Sequence, residues 1–182
     1  LSIIGLLDQP SEGELKILGQ NMGTASAAAR TVARREHIAF VFQAYHLIAH
    51  LNATENIAHT LRMRGVPGRQ AHQRALQALE QVGLGHRLEV LPRNMSGGEQ
   101  QRVAVARALA CAPRILLCDE PTGNLDTENS HKVLDLLLAG RAEKQSLVII
   151  THDPDIAARC ARQRQMVVGK LVCPEVTLPE ES

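Results

Sequence analysis

Apolar residues recur along this chain with two different spacings, and the two spacings alternate. Three short apolar runs, His37–Gln43, Arg114–Glu120 and Ser146–Thr151, have the length and the β-branched content of buried strands. The spacing is helical over Asn52–Gly85 and again over Asn129–Leu138. Buried strands that alternate with helices predict an α/β fold with a parallel sheet.

Weaker patterns predict further elements before and after these runs. The sequence predicts the end of a buried helix at Leu1–Leu7, a short strand at Glu14–Leu18 and a helix at Ala25–Arg35. A last strand is predicted at Gln165–Val168. The sequence Gly65-Val66-Pro67-Gly68 divides the helical stretch into two helices, because glycine and proline break helical segments.

These sequence patterns divide the chain into four parts. Residues 1–43 read as part of an α/β core, and residues 44–95 as an inserted α-helical subdomain. Residues 96–173 contain a further helix and the rest of the core. Residues 174–182 are acidic and contain proline, which predicts a loose tail.

The third part begins with a helix start that suits an anion. Ser96 precedes a run of helix formers and Glu99 follows three residues later, which is the capping-box pattern. Gly97 and Gly98 remove side chains from the first turn and would expose backbone N–H groups there, where phosphate binds readily. The alternative is simply a capped, closely packed helix, although two glycines cost helix stability.

Composition narrows the class of protein. The chain has 182 residues, 45% of them apolar, which is enough for one core, and its net charge of +1 gives no sign of a nucleic-acid-binding surface. The four cysteines lack zinc-site spacing, and a reducing cytoplasm suits them: Cys111, Cys118, Cys160 and Cys173. No apolar run reaches the roughly 18 residues of a membrane span. The first residues lack a positively charged lead and a small-residue cleavage site, so we do not expect them to be a signal peptide.

Polar residues follow the predicted strands, at the edge where parallel sheets bind ligands. Gln43 ends the first strand, Asp119 and Glu120 end the second, and His152 follows the third. One carboxylate could hold Mg²⁺ through water and the next could activate a water molecule. Each residue also has an ordinary interpretation: a strand-end turn for the acids, a cap region for His152, and a turn or helix cap for Asp126.

Taken together, these motifs resemble the ATP-binding cassette (ABC) ATPase family. Gln43, "MSGGEQQR" at 95–102, "ILLCDEPTGNLD" at 115–126 and "ITHD" at 150–153 are similar in order and spacing to its Q-loop, signature, Walker B, D-loop and H-switch. The resemblance spans nearly the whole chain and implies a P-loop NTPase-type core. "LNATEN" at 51–56 most resembles the subfamily of lipoprotein release and macrolide export.

The resemblance implies ATP and Mg²⁺ as cofactors and assigns roles to residues. Asp119 and Gln43 would bind Mg²⁺, and Gln43 would also contact the attacking water. Glu120 would be the general base, and His152 would be the switch that reads the γ-phosphate.

In this family two cassettes face each other head to tail, so a second ATP-binding domain is an implied partner. ATP bound by the partner would meet five residues in trans: Ser96, Gly97, Gly98, Glu99 and Asp126. The α-helical subdomain at residues 44–95 would bind a transmembrane permease. The protein would therefore lie peripherally on the cytoplasmic face of the inner membrane.

The phosphate-binding motif G-x-x-x-x-G-K-[ST], known as Walker A, does not occur in the sequence. In members of the family it stands just ahead of a segment like "LSIIGLLDQPSEGEL", so the resemblance implies a chain that begins shortly after Walker A. On that basis we expect the 182 residues alone neither to hydrolyse ATP well nor to fold stably.

Two alternatives to a transport ATPase remain at this stage: a non-transport ABC ATPase, of DNA repair or of translation, and an inactive remnant. A non-transport ABC ATPase of DNA repair is disfavoured, because the 52 residues between Gln43 and Ser96 leave no room for a long coiled coil. A translation-associated ABC ATPase would need a second cassette in a longer chain. An inactive remnant is the other alternative, although Ser96, Glu120 and His152 are all present.

Overall fold

The computed structural model describes residues 1–140 and 143–172. They form two compact units, one spanning Leu1–Ile150 and the other beginning at Thr151. The four-part division predicted from the sequence stays a prediction. The predicted tail at 174–182 and Cys173 lie outside the described residues.

Three parallel strands form the sheet of the first unit. They are β3 (Ile38–Phe42), β4 (Ile115–Asp119) and β5 (Ser146–Ile150), in the order β3-β4-β5. All three predicted strands are therefore confirmed within two residues. β5 is only half-buried along its length, less than its apolar sequence predicted.

The other elements of this unit precede or connect those strands. A two-residue hairpin joins β1 (Lys16–Ile17) to β2 (Gln20–Asn21). The helices are α1 (Ala27–His37), α2 (Ala53–Met63), α3 (Gly68–Gln81), α4 (Gly97–Ala110) and α5 (Thr127–Ala139), with one 3₁₀ turn at Pro92–Asn94. Each predicted helix from Ala25 onward is present.

The prediction of a helix end at the start of the chain is wrong. Residues 1–8 form successive turns, with a hydrogen bond of 2.8 Å from the Gly5 N–H to the Leu1 carbonyl. Leu6 has a φ of +58°, which a regular helix does not allow. Leu6 is buried, but Ile3, Ile4 and Leu7 are at least 40% exposed, so this apolar run buries one side chain rather than a helical face.

Side chains of the sheet alternate between two cores, as the period of a strand requires. Leu116 and Cys118 of β4 pack with α4 and α5, whereas Leu117 packs on the opposite face with Leu6 and Ile38. The sheet is therefore covered on both faces, which explains why its strands read as continuous apolar runs.

Helix α4 is shared between two cores. Its Val103 and Ala106 pack with α2 and α3 in a helical cluster, while its Val105 and Ala108 pack against the sheet. A helix that is buried on two sides needs small apolar residues nearly all round, which accounts for its alanine- and valine-rich sequence. The start of α4 is thereby held rigidly beside the sheet.

The second unit contains α6 (Pro154–Ala158) and a hairpin of β6 (Gln165–Val167) and β7 (Lys170–Val172). The sequence predicted β6 but not β7. Among residues 1–140 and 143–172, no helix combines the length and apolarity that crossing a membrane requires.

Candidate nucleotide site

The ends of the parallel strands bring three predicted site residues to one edge of the sheet. Phe42 pairs in register with Asp119, and Asp119 pairs in register with Ile150. Gln43 and Glu120, which follow the paired residues, therefore leave the sheet at the same edge. This juxtaposition agrees with the strand-end interpretation of the sequence.

Glu120 begins a tight turn directly after β4. Its φ is +46°, a left-handed conformation that is uncommon for a residue with a side chain. Its N–H donates to the Ile150 carbonyl at 2.9 Å, and its carbonyl accepts from the Gly123 N–H at 3.1 Å. These bonds hold the strained backbone in one position, and such strain concentrates at functional sites.

A buried glutamine of α4 holds the same turn. The Gln101 side chain is fully buried, and its Nε2 donates to the Pro121 carbonyl. Its Oε1 has no hydrogen-bond partner among the described residues. The helix that begins at Ser96 is thus connected directly to the turn that carries Glu120.

Gln43 forms a reciprocal pair with an asparagine of the loop after β4. Gln43 Nε2 donates to Asn124 Oδ1 at 3.0 Å, and Asn124 Nδ2 donates to the Gln43 carbonyl at 3.2 Å. A Cβ at Gly123 would lie 2.8 Å from Gln43 Nε2. Gly123 therefore provides room for the Gln43 side chain.

The predicted capping box at the start of α4 is confirmed. Ser96 Oγ accepts from the Glu99 N–H at 3.2 Å, and Glu99 Oε2 accepts from the Ser96 N–H at 2.8 Å. Glu99 Oε1 also accepts from Arg87 Nε at 2.9 Å. The Ser96 backbone bond and then the Arg87 bond lower the pKa of Glu99, against an opposing effect of burial, so the carboxylate is held ionised.

The two glycines of α4 also serve close packing, in agreement with the alternative interpretation of this helix. A Cβ at Gly97 would lie 2.8 Å from Tyr45 Oη, and a Cβ at Gly98 would lie 2.8 Å from Asn129 Oδ1. Gly97 is half-buried and Gly98 is buried. The prediction that both glycines simply bare the first turn is therefore incomplete, because neighbouring side chains approach their Cα atoms closely.

Asp126 is the N-cap of α5, which was the ordinary interpretation of this residue. Its Oδ1 accepts from the Asn129 N–H at 2.8 Å and its Oδ2 accepts from Asn129 Nδ2 at 2.7 Å. These bonds lower the pKa of Asp126. Asn129 Oδ1 accepts from Arg102 Nη1 at 3.3 Å, so Asp126 connects through Asn129 to Gly98 and Arg102 of α4.

The loop after Gln43 is fixed by an arginine of α4. Tyr45 and His46 both have positive φ, +59° and +49°. Arg107 donates to both of their carbonyls, from Nη2 to Tyr45 at 2.8 Å and from Nη1 to His46 at 2.6 Å. Burial lowers the pKa of Arg107. This contact holds Tyr45 over the start of α4.

His152 belongs to the second unit. It is exposed and is followed by Asp153, whose Oδ1 accepts from the Asp155 N–H at 2.9 Å and caps α6. With Pro154 at the helix start, this N-cap agrees with the ordinary interpretation of His152 as part of a cap region. The role of His152 as a switch stays a prediction.

Sequence reasoning missed four residues that shape this site: Arg87, Asn124, Asn129 and Tyr45. Asn129 stands three residues after a helix-capping Asp, a spacing that indicates a local hydrogen bond. Nothing in the sequence indicates the other three contacts, because Arg87 lies 12 residues from its partner, and Asn124 and Tyr45 lie 81 and 52 residues from theirs.

The polar atoms at the strand ends are compatible with Mg²⁺. Asp119 contributes a carboxylate at the end of β4, and Gln43 has an amide oxygen that its hydrogen bond to Asn124 leaves available. No group of three or more His, Cys, Asp or Glu that could hold a metal occurs within 1–140 and 143–172. A small number of protein ligands is enough for Mg²⁺, because the ion retains several waters and also binds phosphate oxygens.

The α/β fold with polar residues at this edge of the sheet is typical of nucleotide-binding proteins, and comparison with known proteins gives the family. A family model described as ABC transporter matches residues 1–123. The chain is 45% identical over 173 residues to the lipoprotein-releasing system ATP-binding protein LolD of Granulibacter bethesdensis, which covers 94% of this chain and 76% of that protein. The chain belongs to the ABC transporter family, as an ATP-binding cassette.

Two further similar proteins support this family assignment. The chain is 41% identical to the macrolide export ATP-binding/permease protein MacB 1 of Aeromonas hydrophila, covering 94% of this chain and 26% of that protein. Its fold is similar to the dimeric, post-hydrolysis structure of the cassette MJ0796 bound to ADP and Pi. That match has a TM-score of 0.77 and 38% identity, and covers 86% of this chain and 69% of the other.

Proposed function

We propose that this protein hydrolyses ATP to drive a transporter of the lipoprotein-release or macrolide-export type. Its relatives LolD and MacB 1 carry those functions in their names. These names favour transport over the repair and translation alternatives. The transported substrate would be a lipoprotein or a macrolide, handled by a membrane permease.

The active unit would be a head-to-tail dimer of cassettes. The related cassette MJ0796 is dimeric in its ADP- and Pi-bound structure, which supports this arrangement. Ser96, Gly97 and Gly98 would then bind the γ-phosphate of ATP held by the partner, with Glu99 beside it in the same first turn. Asp126 would lie at the contact between the two cassettes. Backbone N–H groups at a helix start suit that phosphate.

Hydrolysis would take place at the edge formed by the ends of the strands. Asp119 and Gln43 would hold Mg²⁺, which supplies positive charge to the phosphate oxygens. Glu120 would accept the proton of the attacking water, and His152 would contact the γ-phosphate. Phosphoryl transfer depends mainly on positioning, and the hydrogen-bonded turn at Glu120 supplies it.

The helical part of the first unit would contact the permease. Residues 44–95 contain α2 and α3 and begin directly after Gln43. Movement of a permease helix against this part would therefore reach the site through Gln43. The protein would lie peripherally on the cytoplasmic face of the inner membrane.

The observation that carries this proposal is the common edge of Gln43 and Glu120, set by the pairing of Phe42 with Asp119. The test measures ATP hydrolysis by the gene product that carries these residues, with Glu120→Gln as the variant. Loss of a general base lowers kcat by roughly 10²–10⁴-fold. The control is Glu128→Gln. Glu128 forms a surface ion pair with Lys132, and its side chain is 79% exposed.

Glu120→Gln should slow turnover by that factor while ATP binding remains. ATP should then hold the variant as a dimer in size-exclusion chromatography. Hydrolysis by Glu120→Gln at the rate of Glu128→Gln would remove Glu120 from the mechanism. Reconstitution with permeases of the lipoprotein-release and macrolide-export types should raise the ATPase rate, and no stimulation by any such permease would count against transport.

A further inference from the structure

The start of α4 contains a negative charge close to the place proposed for a phosphate. Glu99 stands in the first turn of the helix, and its side chain is only 13% exposed. The helix dipole supplies about half a positive charge at this end. A full carboxylate charge in the same turn outweighs it, so a bare Glu99 would repel the anion that the helix start is proposed to bind.

Arg87 compensates that charge. Its Nε donates to Glu99 Oε1 at 2.9 Å, while Glu99 Oε2 accepts from the Ser96 N–H at 2.8 Å. Each oxygen of the Glu99 carboxylate therefore accepts a hydrogen bond, one from Arg87 and one from the backbone at the start of the helix. A charge-assisted bond of this kind is about twice as strong as a neutral one.

The segment that carries Arg87 is anchored from the opposite side. The Leu88 carbonyl accepts from both the N–H and the hydroxyl of Thr54, at 3.0 and 2.9 Å, and the Val90 carbonyl accepts from the Ala53 N–H at 3.1 Å. These donors belong to the first turn of α2. Arg87 thus reaches Glu99 from a backbone that is already fixed in place.

We propose that Arg87 is a positioning residue for ATP hydrolysis, which neutralises Glu99 so that the start of α4 can accept the terminal phosphate of a nucleoside triphosphate held by the partner cassette. This inference rests on the proposed function. Arg87 acts through Glu99 and does not itself touch the nucleotide.

A purely structural role for Arg87 makes a different prediction. The Arg87 side chain is 39% exposed, so its removal leaves no large cavity. If Arg87 acts by charge, the defect of Arg87→Gln should disappear once Glu99 is also made neutral. If it acts by packing, Glu99→Gln cannot repair the defect.

The experiment compares ATPase kinetics of four forms of the gene product that carries these residues: wild type, Arg87→Gln, Glu99→Gln and the double variant. We expect Arg87→Gln to lower kcat/KM for ATP by about tenfold, the value of one charge-assisted hydrogen bond. The double variant should return to within about twofold of Glu99→Gln. Arg93→Gln is the matched control, because Arg93 is an exposed arginine three residues before Ser96.

Arg87→Lys covers the case in which Arg87→Gln does not fold, since lysine retains the positive charge. It should keep kcat/KM within about threefold of wild type. The inference is overturned if Arg87→Gln behaves like Arg93→Gln, if the double variant stays as impaired as Arg87→Gln, or if folded Arg87→Lys loses tenfold. Loss of activity in Glu120→Gln beside a normal Arg87→Gln would leave the proposed function in place and remove only this inference.

Discussion

The phenol oxygen of Tyr45 lies against the Cα of Gly97, so that a Cβ at Gly97 would stand 2.8 Å from it. Tyr45 follows the first strand of the sheet and Gly97 opens the signature helix, 52 residues later in the chain. Arg107 fixes Tyr45 in turn by bonding its carbonyl at 2.8 Å. The loop after Gln43 and the start of α4 therefore form one packed surface.

Gly97→Ala tests this contact. We expect it to lower the free energy of unfolding by about 1–2 kcal/mol, because the added methyl group overpacks against a fixed tyrosine. The same substitution in a Tyr45→Phe background should cost nothing, since the nearest remaining atom of the ring is 3.8 Å away. Chemical denaturation of the single and double variants, made in the gene product that carries these residues, measures the difference.

Gly68→Ala is the control for that experiment. Gly68 is likewise the first residue of a helix, and a Cβ there would meet nothing within 4 Å. It should stabilise the protein by about 0.4–1 kcal/mol, as alanine does where the backbone permits it. Equal effects of Gly97→Ala and Gly68→Ala would show that the Tyr45 contact is unimportant.

Arg107→Lys is expected to destabilise the protein by about 1–2 kcal/mol although it retains the charge. A guanidinium can donate to two carbonyls at once from a fixed geometry, and lysine cannot match it. Thermal unfolding measures the effect. Arg102→Lys, which replaces an arginine with one 3.3 Å bond to Asn129, should cost less, and the reverse order would contradict this interpretation.

Gly123→Ala should impair ATP hydrolysis while leaving stability nearly unchanged. The added methyl group meets the Gln43 amide, with Nε2 at 2.8 Å, and an exposed side chain can move away at little cost. If Gln43 binds Mg²⁺ and contacts the attacking water, its displacement should reduce kcat on the order of tenfold to a hundredfold. Gln43→Ala should produce the same loss, and combining the two should add nothing further.

The stability of the protein should fall in acid partly through Glu99. Its pKa is lowered in the folded state, first by the Ser96 N–H and then by Arg87. Its contribution is therefore complete above the unfolded-chain pKa of about 4.3 and is lost as pH falls through the lower folded-state pKa. Wild type should exceed Glu99→Gln in unfolding free energy by about 1 kcal/mol at pH 7.

That difference should be smaller at pH 3 than at pH 7, as measured by urea unfolding at both pH values. Asp126, whose pKa is also lowered, is present in both proteins, so its contribution cancels. A difference between wild type and Glu99→Gln that does not change with pH would exclude ionisation of Glu99 as its cause.

The sequence by itself determined the elements of the sheet, the helix caps and the edge at which the site lies. Strand period and apolar runs located β3, β4 and β5, and the Ser96 and Glu99 pattern specified its own hydrogen bonds, because a capping box is local. The failure at Leu1–Leu7 has a local cause too. That run has no helical period, and Leu6 is its only fully buried side chain, with Leu1 partly buried beside the same core.

Tertiary structure alone decided which distant side chains meet. Tyr45 against Gly97, Gln43 with Asn124 and Arg87 with Glu99 join segments that only the packing of α4 on the sheet and on α2 and α3 brings together. Period and capping patterns report a residue's own neighbours along the chain. Contacts between segments depend on how whole elements pack, and that information is spread over every residue of both cores.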